Sequence, residues 1–144
     1  YPVNYWKLRK LGYSKAIFTA LSGSLGNFVV GLLAGLIFYL SGLHRYSTLM
    51  PDYLSSYPLS YFADVIYWVM FIDLSTAFFN LLPIPPLDGA NIITVIVPES
   101  YVNWLVKYEL YGILVLLVLS LIGVIQLIMW PVTQFIQILS WLIV

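Results

Sequence analysis

Few residues of this 144-residue chain can do acid–base or metal chemistry: six acidic side chains, six basic, one histidine and no cysteine. One of them, Asp88, stands out by its surroundings. It closes the run Asn80-Leu-Leu-Pro-Ile-Pro-Pro-Leu-Asp-Gly89, in which three prolines fall within four residues. Each proline lacks a backbone donor and drives its predecessor out of the helical region, so no helix runs through this segment. An Asp before Gly has an ordinary role as the cap of a short helix, accepting backbone donors of its first turn. It also has a chemical one. A carboxylate among apolar residues stays charged only beside a cation, hydrogen-bond donors or a metal ion. No basic residue is near Asp88 in sequence, so a divalent metal is its natural partner, and Asp is a familiar oxygen ligand for zinc. One carboxylate is still only one ligand, where a catalytic zinc takes about three from the protein.

The other candidates are less exposed to this argument. Asp64 and Asp73 lie in an apolar stretch. Asp64 is near its start, where it can face headgroups. Asp73 is deeper and is expected to face protein or a watery cavity, since contact with lipid is costly. His44, beside Arg45 in a loop, reads as a solvated loop histidine. The absence of cysteine excludes disulfides and thiol chemistry. A net charge of zero gives no sign of a nucleic-acid partner.

The elements that must position Asp88 are helices in lipid. Hydrophobic residues make up 62% of the chain and charged ones 8%, against about 45–50% and about 25% in soluble domains. With so few charges a water-facing surface of ordinary polarity cannot be built, and lipid takes the place of water. The expected fold class is all-α: a single polytopic helical membrane domain over 1–144, with three transmembrane helices, a proline-rich break, and a short interfacial or re-entrant helix. The first span, 16–40, is free of charge over 25 residues and would be about 37 Å long, enough to cross a hydrocarbon core of about 30 Å. Gly31 and Gly35 within it have the spacing that lets another helix approach closely. The second span is 59–82, followed by the loop 80–89, a short helix after Gly89 and an interfacial segment. The third span is 111–130. Pro131 kinks or ends it, and the apolar tail 131–144 either extends it or lies in the interface. Trp6, Tyr39, Tyr57, Tyr108 and Trp130 read as anchors at the membrane–water boundary.

Basic residues set the orientation. Lys7, Arg9, Lys10 and Lys15 precede the first span and Lys107 comes after the second, whereas the loop between those spans carries only Arg45. Residues 1–15 and 83–111 are therefore expected on the cytoplasmic side and 41–58 outside. The chain begins at Tyr1, not Met, with no signal-peptide pattern, so it reads as part of a longer or processed product.

The motif Asn80-x-x-Pro83-x-Pro85-Pro86-x-Asp88-Gly89 resembles the signature loop of the site-2 protease family, the zinc-dependent intramembrane metalloproteases. Leu21-Ser-Gly-Ser-Leu-Gly-Asn27 is similar to that family's Ala-Gly-Pro-x-x-Asn stretch, which comes after a segment like Pro2-Val-Asn4. Tyr111-Gly112, leading into an apolar span, resembles the segment after the Asp-Gly helix in compact bacterial members. The resemblance covers most of the chain in the same order and spacing. It departs from the family in three places. No His-Glu-x-x-His occurs in these residues, its family position being upstream of Tyr1; Ser24 replaces a Pro; and Asp73 stands where bacterial members usually have Asn.

The resemblance implies that Asp88 is a zinc ligand, with the remaining ligands outside this chain. It implies that Asn27 is a polar group holding the peptide or the oxyanion, and that Asn80 orients the loop. The reaction implied is attack of metal-activated water on a peptide bond, with the Glu of the upstream motif as general base. The expected setting is the bacterial cytoplasmic membrane, with the lipid bilayer as partner and a transmembrane protein as substrate. A second reading is a catalytically inactive relative serving as scaffold or partner subunit in a complex. A third, a channel or transporter piece, rests on the broken helix and the carboxylate at membrane depth.

Overall fold

The computed structural model of the chain describes residues 7, 10, 12–50, 54 and 58–143. Most of the basic lead-in 1–15, including Trp6 and the Pro2-Val-Asn4 segment, and part of the loop around Tyr57 lie outside the described residues. The order of elements is α1 (Tyr13–Leu40), a 3-10 turn (Leu43–Tyr46), α2 (Leu59–Asn80), α3 (Asp88–Ile96), α4 (Glu99–Lys107), α5 (Glu109–Leu121) and α6 (Val124–Ile143). Among the described residues there is no strand.

Helices α1 and α2, 28 and 22 residues long, are each long and apolar enough to cross a membrane. They correspond to the first two expected spans. The expected count of three is not met. The apolar run 111–130 is divided between α5 and α6 at Ile122–Gly123, where Gly123 takes a left-handed φ of 81°. An α-helix cannot pass through that conformation, so no single helix covers the expected third span 111–130. Pro131, expected to kink or end this span, instead lies inside α6. Only if α4 and α5 are counted together as one bent span is there a third crossing.

The fold divides into two compact units. The first comprises residues 1–25 and 77–129, the second 26–76 and 130–144. In the second unit the later part of α1 packs antiparallel on α2. Gly31 faces Leu74 and Gly35 faces Met70, so a step of four residues forward on α1 is a step of four back on α2. The two small residues let Leu74 and Met70, both fully buried, sit against the α1 backbone. Phe38 continues the stripe, also fully buried, with its ring 5.8 Å from that of Tyr67.

In the first unit Ala16 and Ala20 of α1 pack with Val95 of α3, flanked by Ile17 and Ile92. The same antiparallel stepping brings Ser24, one turn further on, to Asp88 at the start of α3. Between α2 and α3 the chain turns on itself. Leu81 and Leu82 donate to the Phe78 and Phe79 carbonyls at 3.1 Å, tightening the last turn of α2. Leu87 donates to the Ile84 carbonyl at 2.9 Å, closing a turn around Pro85 and Pro86, which are joined by a cis peptide bond. The Leu87 carbonyl then accepts from Ala90 and Asn91 as α3 begins.

Two glycines let this loop close. A Cβ on Gly89 would collide with the Leu81 and Leu82 carbonyls, and a Cβ on Gly112 of α5 would collide with the Pro85 carbonyl. All three obstacles are backbone, which cannot rotate away. Gly89→Ala and Gly112→Ala should each destabilise the protein by about 1–3 kcal/mol, read as a lower unfolding midpoint in detergent. Gly26→Ala, where a Cβ meets nothing within 4 Å, should be neutral or stabilise by up to about 1 kcal/mol. Equal midpoints for all three variants would refute the close approach.

Candidate functional site

Asp88 is the first residue of α3, in the half-buried class, at the point where the proline-rich loop gives way to helix. Its position has local causes. The prolines end α2, the turn at Ile84–Leu87 reverses the chain, and an acidic side chain is favourable in a first helical turn because it complements the helix dipole. Its partner comes from α1. Ser24 donates its hydroxyl to Asp88 Oδ2 at 2.7 Å and its backbone N–H to the same oxygen at 3.1 Å. Among the described residues Oδ1 receives no hydrogen bond. Gly23 also borders the carboxylate, since a Cβ there would lie 3.1 Å from Oδ2.

The proline part of the loop borders a row of aromatic rings. Tyr101 stacks with Trp104 at 5.6 Å, Trp104 lies 5.1 Å from Tyr108, and Tyr108 lies 5.5 Å from Tyr111. With Pro83 and Pro85 these rings line a cleft of about 510 Å³. Lys107 Nζ sits 5.7 Å from the centre of the Tyr108 ring, within reach of a cation–π attraction.

The other residues singled out in the sequence occupy different places. Asn80 is the last residue of α2 and half-buried. Asn27 lies one turn beyond Ser24 along α1, in the unit formed by 26–76 and 130–144. Asp73 is half-buried within α2, in the same unit. Asp64 has a structural task there. It accepts from Ser47 Oγ at 2.6 Å, Thr48 N–H at 2.9 Å and Thr48 Oγ1 at 2.7 Å, tying the loop after the 3-10 turn to α2. His44, expected as a solvated loop histidine, is half-buried. It belongs to the 3-10 turn, its ring 5.6 Å from Tyr39 and 6.4 Å from Phe38, and its Nδ1 is buried with no partner among the described residues.

Two residues at the site were not legible as partners. Ser24 was visible only as a departure from a motif and one of several small residues on α1. The four-residue spacing of Ala16, Ala20 and Ser24 was the available signal, marking one buried face. Asn91, one turn past Asp88 on α3, is 2% exposed, with Oδ1 lacking a partner among the described residues.

As donor chemistry, Asp88 suits a single oxygen ligand: one oxygen is held from α1 and the other has no hydrogen-bond donor among the described residues. Among the described residues no three His, Asp or Glu side chains come together, so these residues do not by themselves complete a metal centre. Fold and site thus define a helical membrane protein with a loop-borne carboxylate fixed from a neighbouring helix. The chain is 30% identical over 132 residues to a Bacillus subtilis (strain 168) protein named "Putative zinc metalloprotease YwhC". The match covers 90% of this chain and 56% of the relative, so the chain spans about half the length of the curated protein it matches. No family model and no solved structure matches the chain.

The geometry separates the roles of the two carboxylates. Asp64→Ala should cost about 1–2 kcal/mol, the scale of lost hydrogen bonds to a charged group, and speed proteolysis between residues 42 and 58. It should leave any metal content of the protein unchanged. Loss of metal on Asp64→Ala would show that the assignment of Asp64 to the loop is wrong.

Proposed function

We propose that this chain is the portion of a membrane-embedded zinc metallopeptidase of the site-2 protease type that carries its Asp ligand. The observation carrying the proposal is the proline-rich loop that ends on Asp88, folded so that one carboxylate oxygen is held by Ser24 while the other receives no hydrogen bond among the described residues. The similarity over 90% of the chain to a protein named as a zinc metalloprotease supports it. In this reading Asp88 is one ligand, and the others come from a segment beyond these 144 residues. A bound zinc would polarise water or the scissile carbonyl. The chain's own residues shape the place where that happens. The loop breaks the helix so that its carboxylate faces protein, and Asn80 orients the loop where α2 ends. The substrate proposed is a transmembrane segment of another protein, since a peptide bond must leave its helix to be attacked.

The test is metal analysis of the protein at its natural full length, purified in detergent. Wild type should hold zinc, and Asp88→Ala should lose it and its peptidase activity, by about a hundredfold or more, while keeping its helical content. Zinc retained by Asp88→Ala, or a folded wild-type protein with no metal affinity, would overturn the reading in favour of a scaffold.

We also propose that residues 83–111 face the cytoplasm, on the evidence of Lys107 and the basic residues before α1. A reporter fused after Lys107 should then be active in the cytoplasmic form only; activity of the exported form would reverse the orientation.

A further inference from the structure

We infer that Ser24 is a positioning residue for Asp88: from α1 it holds Oδ2 and leaves Oδ1 as the one oxygen offered to a cation. The inference rests on the reading of Asp88 as a metal ligand. Both donors of Ser24 converge on one oxygen, the hydroxyl at 2.7 Å and the backbone N–H at 3.1 Å. Ser24 is 3% exposed, so bulk water does not compete for the contact. Beside it, Gly23 leaves the space that a Cβ 3.1 Å from Oδ2 would narrow. Glycine and serine together form a cradle for Oδ2 on the helix surface.

Two donors on the same oxygen make the carboxylate asymmetric. Charge on Oδ2 is compensated from within the protein, while Oδ1 keeps its capacity for an external partner. They also stop rotation about the Cβ–Cγ bond, which would otherwise exchange the two oxygens or present both to a cation at once. Ser24 therefore favours ligation through a single oxygen. Partners that hydrogen-bond a ligating carboxylate fix its orientation, and their loss typically lowers metal affinity by about 10–100-fold. A tie that merely joined α1 to α3 would act differently. It would add stability to the metal-free protein and leave the affinity of folded molecules unaltered.

The experiment uses the protein at its natural full length, with zinc as the probe. Zinc dissociation constants are measured by competition with a chromophoric chelator, and unfolding temperatures are measured without zinc. The variants are Ser24→Ala, Ser24→Gly, which removes the hydroxyl together with its Cβ, and Asp88→Ala. Ser24→Ala and Ser24→Gly should each bind zinc about 10–100-fold more weakly than wild type. If Asp88→Ala loses zinc while Ser24→Ala binds within twofold of wild type, Ser24 is only a structural tie and the inference falls alone. If Asp88→Ala binds zinc as wild type does, the metal reading falls and takes the inference with it. If Ser24→Ala does not fold, Ser24→Gly decides: weaker binding supports the inference and wild-type affinity overturns it.

Discussion

Backbone polar groups need partners wherever they are withdrawn from water, and three prolines soon after α2 remove the helical solution for residues 81–87. The structure meets that need with short-range bonds and close packing. The last turn of α2 tightens onto Phe78 and Phe79, the Ile84 carbonyl accepts across the turn, and the Leu87 carbonyl accepts the first donors of α3. The Leu81, Leu82 and Pro85 carbonyls lie against glycines of α3 and α5. The placement of α3 and α5 is therefore tied to the loop: each must bring a residue without a side chain to a fixed carbonyl.

Asp88 inherits its surroundings from that arrangement. As the first residue of α3 it lies where the helix dipole favours a negative charge, without capping the helix by a side-chain hydrogen bond. The small-residue face of α1 then adds donors from 64 residues away in sequence. A carboxylate with both oxygens committed to backbone donors would be a cap and nothing more. Here α1 commits one oxygen and spares the other, which distinguishes a candidate ligand from a helix cap.

Much of the architecture was legible in the sequence because its causes are local. Long uncharged runs marked α1 and α2, proline chemistry marked the break, and Asp-Gly marked the start of α3. Gly31 and Gly35 announced the contact with α2 through their spacing alone. The third span was misread because hydropathy counts apolar residues without regard to dihedral angles. Gly123 is a single glycine in an apolar run, and nothing in composition says that it turns left-handed. Pro131 looked like the stronger breaker, yet it lies within a continuous α6. The Ser24–Asp88 pair depends on tertiary contact, which no local pattern encodes. For the site, the loop pointed to Asp88, but the choice between its oxygens did not exist until the helices were packed.

The contact of Gly112 with the Pro85 carbonyl has a bearing on how such a loop can change over time. Because the loop is seated by backbone against backbone, its exposed side chains at Leu81, Pro83 and Pro86 are free of the task of seating it. Substitutions there can change the exposed surface of the loop without unseating its backbone. The two glycines have no such freedom, since the smallest side chain already blocks the fit. Variation in this protein should therefore accumulate on the outer surface of the loop and stop at the hydrogen atoms of two α-carbons.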